Sequence, residues 1–243
     1  MKWHALLVAA VVATAGCGGS SGQVTIYAAS SLTEAFQEID PEARFNFASS
    51  GQLAAQIEEG AKADVYASAD PHYARQLFRD DLAERPRLLV ANQLVLAVPR
   101  SNPAGIRRLG DLSRRGVKLV LAAAGVPAGD YARRALAAHR DGPAILANVV
   151  SEEDDVKSVL GKLELGEADA GFVYSSDVVT ADGRVRAVYP AIANPSYAIQ
   201  IVRGGNDDRA SAFLERVFSR AGQQALLRAG FVTVGRRAGE PLP

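Results

Sequence analysis

One cysteine, Cys17, is present in a chain of 243 residues, which excludes both a disulfide framework and a cysteine-rich metal site. Histidine is nearly as scarce. His4, His72 and His139 have no companion cluster, so the sequence offers neither a histidine-based metal centre nor a positioned general base. Charge of one sign is not in excess, because 27 Lys and Arg residues face 27 Asp and Glu. That balance excludes a broad basic field for nucleic acid and a polybasic stretch for a membrane surface, leaving a small ligand or a protein partner. A spanning helix needs about 20 apolar residues, and no run reaches that length without charges. Low-complexity tracts and repeats of solenoid period are also missing.

What is present begins with a leader. Met1-Lys2-Trp3-His4 precedes an apolar run from Ala5 to Ala15, then Gly16-Cys17, a short secretory signal rather than a membrane span. Thr14-Ala15-Gly16-Cys17 resembles a bacterial lipoprotein signal, in which the cysteine becomes the lipidated first residue; an ordinary cleaved signal with a leftover thiol is the alternative. The expected organisation is signal 1–16 and flexible tether 17–22, followed by about 225 residues that suffice for two small domains.

From residue 24 onward, short Val/Ile/Leu/Tyr-rich runs alternate with helix-period segments. This pattern predicts an α/β protein with mostly parallel sheets flanked by helices. Strands are expected at 23–28, 43–47, 63–67, 93–98, 117–122, 145–149, 169–174, 185–188 and 197–202. Asp70-Pro71 and Asn206-Asp207 read as helix starts, and Gly230 as the end of the last long helix. Two proline-marked stretches, after Asn92–Pro99 and across Tyr189–Pro195, suggest that the chain leaves one lobe and returns. Lobe one then takes 23–91 and 196–243, lobe two takes 92–195, and a ligand cleft lies between strand-to-helix corners of both.

Those corners carry the chemistry. Ser30-Ser31 and Ser49-Ser50 each sit where a strand pattern gives way to a helix pattern. Helix N-termini carry unpaired N–H groups and a partial positive charge, so two of them with added hydroxyls can hold an oxyanion without lysine or arginine. In the second lobe, Val126-Pro127-Ala128-Gly129 and Ser151-Glu152-Glu153-Asp154 read as helix starts, the latter with a capping box, and Tyr174 closes a strand. The acidic run Glu152–Asp155 reads as a solvated helix N-terminus rather than a cation site. Ala48-Ser49-Ser50-Gly51 lacks the first glycine of a nucleophile elbow, which argues against a hydrolase.

Six motifs occur in order: Ala28-Ala29-Ser30-Ser31-Leu32, Phe47-Ala48-Ser49-Ser50, Ala67-Ser68-Ala69-Asp70, Val126-Pro127-Ala128-Gly129, Glu153-Asp154-Asp155-Val156 and Gly171-Phe172-Val173-Tyr174. The chain resembles the bacterial molybdate-binding proteins, solute receptors of molybdate ABC importers, over residues 23–234. The resemblance implies a type II periplasmic-binding-protein fold, an extracytoplasmic monomer without enzymatic activity or cofactor, and a membrane permease as partner. The ligand would be molybdate, with tungstate of nearly equal size and charge. Carried over by position, the oxyanion ligands are Ser31 and Ser50 through hydroxyl and backbone N–H, Ala128 and Val156 through backbone N–H, and Tyr174 through its hydroxyl. Ser30 and Ser49 fall to supporting or turn roles. The chain departs from relatives in having Ser30 where alanine is frequent, and in lacking an Asp-Pro pair within Ala122-Ala123-Ala124-Gly125. Within the same fold, a receptor for sulfate or another solute is the alternative; from a different class, a structural lipoprotein.

Overall fold

The computed structural model describes residues 22–233 and 238–242. The signal reading of 1–16, the lipidation reading of Cys17 and the tether as far as Ser21 therefore lie outside the described residues.

The first stretch of chain runs β1 (Thr25–Ala29), a 3-10 turn (Ser30–Leu32), α1 (Thr33–Ile39), β2 (Arg44–Ala48), α2 (Ser50–Glu58), β3 (Val65–Ser68), α3 (Pro71–Arg79) and β4 (Arg87–Ala91). The second holds β5 (Leu94–Pro99), a 3-10 turn (Leu109–Ser113), β6 (Leu119–Ala122), α4 (Pro127–Ala137), α5 (Gly142–Leu146), β7 (Val149–Glu153), α6 (Val156–Glu164), β8 (Ala170–Tyr174), α7 (Ser175–Thr180) and β9 (Val185–Ala193). The chain closes with β10 (Ser196–Ile201), α8 (Asp207–Phe218) and α9 (Arg220–Arg228).

These strands make two five-stranded sheets, β2-β1-β3-β10-β4 and β7-β6-β8-β5-β9, so the architecture is α/β and two-lobed. The connections β4-to-β5 and β9-to-β10 pass between the sheets at Asn92-Gln93 and Asn194-Pro195. Each sheet is mixed rather than mostly parallel. β1 pairs parallel with β2 and β3, and β6 with β7 and β8, whereas β10 and β5 run antiparallel to both their neighbours. The cause is the exchange itself: β5 and β10 enter from the opposite lobe and so run against the strands built by local βα units. Apolar side chains of β1, β3, β5, β6, β8 and β10 are buried, as expected for strands covered on both faces.

Several local expectations are corrected. Residues 145–149 are the end of α5 and the start of β7, because Pro143 favours a first helical turn and the strand begins only at Val149. No capping box forms between Ser151 and Asp154: Ser151 lies in β7, and Asp155 caps α6 by accepting from Ser158 N at 2.9 Å. Arg87–Ala91 is a strand missed by the pattern reading, and β9 continues through Ala193 beyond the expected 185–188. The last long helix is two, divided at Ser219, whose extended backbone ends α8 while its hydroxyl accepts from Gly222 N and starts α9.

Candidate functional site

The helix starts of both lobes face one another. Ser49 is the N-cap of α2, engaged with Gln52 in a reciprocal capping box. Its hydroxyl is thereby committed to its own helix. Ser50 follows as the first helical residue, and its hydroxyl turns elsewhere: Ala69 N–H donates to Ser50 Oγ at 3.0 Å, while Tyr66 Oη donates to Ser50 O at 2.7 Å. At the end of β1, Ser31 does not cap α1, which starts at Thr33; its Oγ lies 2.8 Å from Tyr197 Oη on β10.

From the second lobe, α4 begins with Val126 as N-cap and Pro127 at the first position, which places Ala128 N–H in the first turn. Asp155 is the N-cap of α6, so Val156 is the first helical residue. First-turn N–H groups have no acceptor within their own helix, and Ser50, Ala128 and Val156 each present one. Gly129 explains how the α4 corner comes so close to β6: a Cβ there would sit 2.2 Å from Ala122 O. Tyr174 ends β8 with its side chain buried, and its hydroxyl has no hydrogen-bond partner. Burial holds that phenol protonated, well above its usual range, so it remains a donor.

Between these corners lies a small cavity lined by Ala29, Ser30, Ser31, Ala48, Ser49, Ser50 and Ala69 from one lobe and Val126, Pro127, Ala128, Val156 and Tyr174 from the other. All five ligand candidates from the sequence are brought together there, with Ser30 and Ser49 beside them. The lining contains no Lys, Arg, His, Asp or Glu. A dianion held here would meet hydroxyls, main-chain N–H groups and three converging helix N-termini, with no counter-charge. Size narrows the ligand further, since the cavity leaves only about 10 Å³, whereas pockets for organic ligands take about 300–1,000 Å³. Among the described residues, no cluster of His, Cys, Asp or Glu could hold a bare metal ion.

The rims of the cavity are joined across the lobes. Lys157 Nζ on α6 lies 2.7 Å from Glu34 Oε1 on α1, and Tyr73 Oη on α3 donates to Gly125 O before α4. At the crossing, Asn92 is fully buried; its Nδ2 donates to Ser176 Oγ and Tyr197 Oη, and its Oδ1 accepts from Ser175 Oγ and Gln93 N. Sequence reading missed Asn92, Tyr197, Ala69 and Lys157. Ala69 lies inside a quoted motif, but its role is a main-chain one that residue type does not reveal.

Two mixed-sheet lobes, crossed twice by the chain and closed around a small cavity at helix N-termini, define a two-lobed solute receptor. The chain belongs to the bacterial extracellular solute-binding protein family, whose model matches residues 24–232. It is therefore an extracytoplasmic protein of a transport family. The molybdate-binding protein ModA of Mycobacterium tuberculosis is 34% identical over 93% of this chain and 94% of its own length. The substrate-binding domain of a putative molybdenum ABC transporter from Clostridium difficile superposes with a TM-score of 0.62 at 30% identity, covering 87% of this chain and 99% of that one. The periplasmic molybdate-binding protein of Azotobacter vinelandii shares the fold, with a TM-score of 0.75 at 19% identity over 87% of this chain and 100% of that one.

Proposed function

We propose that the protein captures molybdate, and tungstate with it, between its two lobes and delivers it to the membrane permease of an ABC importer. One observation carries the reading: a small two-lobe cavity whose lining has no ionisable side chain except Tyr174, and whose Tyr174 hydroxyl is buried without a partner. Ser31 and Ser50 would each supply a hydroxyl and an N–H, Ala128 and Val156 an N–H, and Tyr174 a hydroxyl. Micromolar to nanomolar affinity is about 8–12 kcal/mol. A hydrogen bond to a charged acceptor contributes about 1.5–3 kcal/mol net, so the donors of both lobes together suffice. The 2.7 Å Lys157–Glu34 contact and the buried crossing at Asn92 support residues 23–91 with 196–243, and 92–195, as the two bodies that close. Closure is what a permease would distinguish.

Thr14-Ala15-Gly16-Cys17 supports anchoring of this monomeric receptor through a lipid on Cys17. A thermal-shift titration with molybdate, tungstate, sulfate and phosphate tests the ligand. At a hundredfold excess over Kd the gain is about 2.7 kcal/mol, or roughly 5–10 °C for a chain of this size. Molybdate and tungstate should give that shift, sulfate less, and phosphate, which carries a proton at neutral pH, none. A shift largest with sulfate would make the protein a sulfate receptor, and no shift with any of them would leave the structural-lipoprotein alternative.

A further inference from the structure

Ser31 and Ser50 differ in what lies behind them. Ser50 Oγ accepts from Ala69 N–H, a group that can only donate. Its own hydrogen is then free to point into the cavity. Ser31 is backed by a phenol, Tyr197 Oη, which could donate or accept, so its direction depends on the next group along. That group is Asn92. Gln93 N–H donates to Asn92 Oδ1 at 2.9 Å, which identifies that atom as the oxygen and turns Nδ2 toward Tyr197 Oη, 3.4 Å away. An amide N–H obliges the phenol oxygen to accept. With its oxygen taken by the amide, Tyr197 has its single hydrogen to give to Ser31 Oγ, and Ser31, accepting there, turns its own hydrogen toward the cavity.

We propose that Tyr197 and Asn92 are positioning residues that fix the Ser31 hydroxyl as an obligate donor to the bound anion, and so set discrimination against protonated oxyanions. A serine free to rotate could accept from the hydroxyl of a protonated anion; a serine locked as a donor cannot. The relay starts at the crossing between the lobes, where Asn92 Nδ2 also donates to Ser176 Oγ at 2.9 Å. It forms fully only when β10, α7 and the β4-to-β5 connection are packed together. Tyr197 is itself fully buried and edge-on to Phe231, with ring centroids 5.3 Å apart. Replacing it by phenylalanine therefore keeps the packing and removes only the oxygen.

The inference rests on the anion-site reading, and the test separates the two. Calorimetry with molybdate, sulfate and phosphate is run on wild type, Ser31→Ala, Tyr197→Phe and the double variant, with melting of each ligand-free protein as the check on folding. Tyr197→Phe should weaken molybdate binding about fivefold to tenfold and lower the molybdate-to-phosphate affinity ratio at least as much. In the Ser31→Ala background it should cost less than about twofold, because its partner is gone. Asn92→Asp, of the same size, presents an acceptor to Tyr197 and reverses the relay. It should lose binding in the wild-type background and do so non-additively with Ser31→Ala, whereas a pure charge effect adds. Additive losses in both cycles, or Tyr197→Phe affinity and selectivity within twofold of wild type, would overturn the relay alone. A folded wild-type protein that binds none of the three anions would overturn the anion-site reading and the relay with it.

Discussion

Lys157 Nζ lies 2.7 Å from Glu34 Oε1, and the pair joins α6 of one lobe to α1 of the other, one residue beyond Val156 and three beyond Ser31. The side chains are 23% and 45% exposed, so water screens the attraction. Partly exposed pairs contribute about 0.2–1 kcal/mol, which sets the size of the expected effect. Glu34→Gln should lower molybdate affinity by about twofold to fivefold at low salt, mainly through faster release. The difference should fade near 1 M salt, where screening acts over about 3 Å. Stopped-flow release rates at two ionic strengths check this. Equal rates in both proteins at low salt would mean that the ion pair does not hold the lobes closed.

Tyr174→Phe separates binding from folding. The hydroxyl is buried without a partner, and an unsatisfied buried polar group costs about 1–3 kcal/mol. Removing it should leave the ligand-free melting temperature unchanged or higher. Molybdate affinity should fall about tenfold or more, at roughly 1.4 kcal/mol per decade. Ser50→Ala should weaken binding to a similar degree but leave Ala69 N–H without its acceptor, and so lower the ligand-free melting temperature. Calorimetry paired with thermal melting on both variants distinguishes these signatures.

The corners were legible in the sequence because helix starts have a residue grammar. Ser49, Asp70 and Asn206 each accept from an N–H of the helix they begin; Asp155 does the same for α6, where the sequence pattern points to Ser151. Ala128 and Val156, by contrast, act through main-chain groups that any residue possesses, and only the family resemblance singled them out. Sheet direction was not legible. Nothing in Leu94–Pro99 or Ser196–Ile201 distinguishes a strand entering from the other lobe from one built in place, since both are short, largely buried strand-forming runs. The partners of Ser31 were hidden for a related reason: Tyr197 and Asn92 lie 166 and 61 positions away in the chain, brought together by the double crossing.

Asp177 makes ligand-free stability depend on pH. Its side chain is fully buried, accepts from Tyr174 N at 2.9 Å and lies 3.5 Å from Lys157 Nζ. Burial raises its pKa from 3.8 to about 6, against the opposing pull of the Lys157 ammonium; Glu34 adds to the rise. Between those values the folded chain holds a proton that the unfolded chain has released, so stability falls as pH rises through this window. The contribution is complete below the unfolded pKa and lower by about 3 kcal/mol above pH 6. Asp177→Asn keeps an acceptor for Tyr174 N and cannot ionise. Its melting temperature should gain on wild type steadily from pH 4 to 6.5, and parallel profiles would refute the assignment.

Gly51 faces the opposite lobe at Gly125, and one methyl group there tests closure. A Cβ at this position would lie 3.0 Å from Gly125 O in the opposite lobe and 3.2 Å from Tyr73 Oη, the hydroxyl that donates to that same carbonyl. Gly125 has φ of +83°, a conformation that side-chain-bearing residues rarely adopt, so the loop is held in a narrow range of geometries. The methyl therefore wedges the closed form. In an open form it faces the cleft and meets nothing from the second lobe. Alanine is also the better helix former by about 1 kcal/mol, so Gly51→Ala should hold or raise the ligand-free melting temperature. Molybdate affinity should nevertheless fall about threefold to tenfold, through overpacking that only the closed state feels. Small-angle scattering with saturating molybdate should show a more extended particle than wild type, and affinity equal to wild type would mean that the lobes close without the Gly51–Gly125 approach.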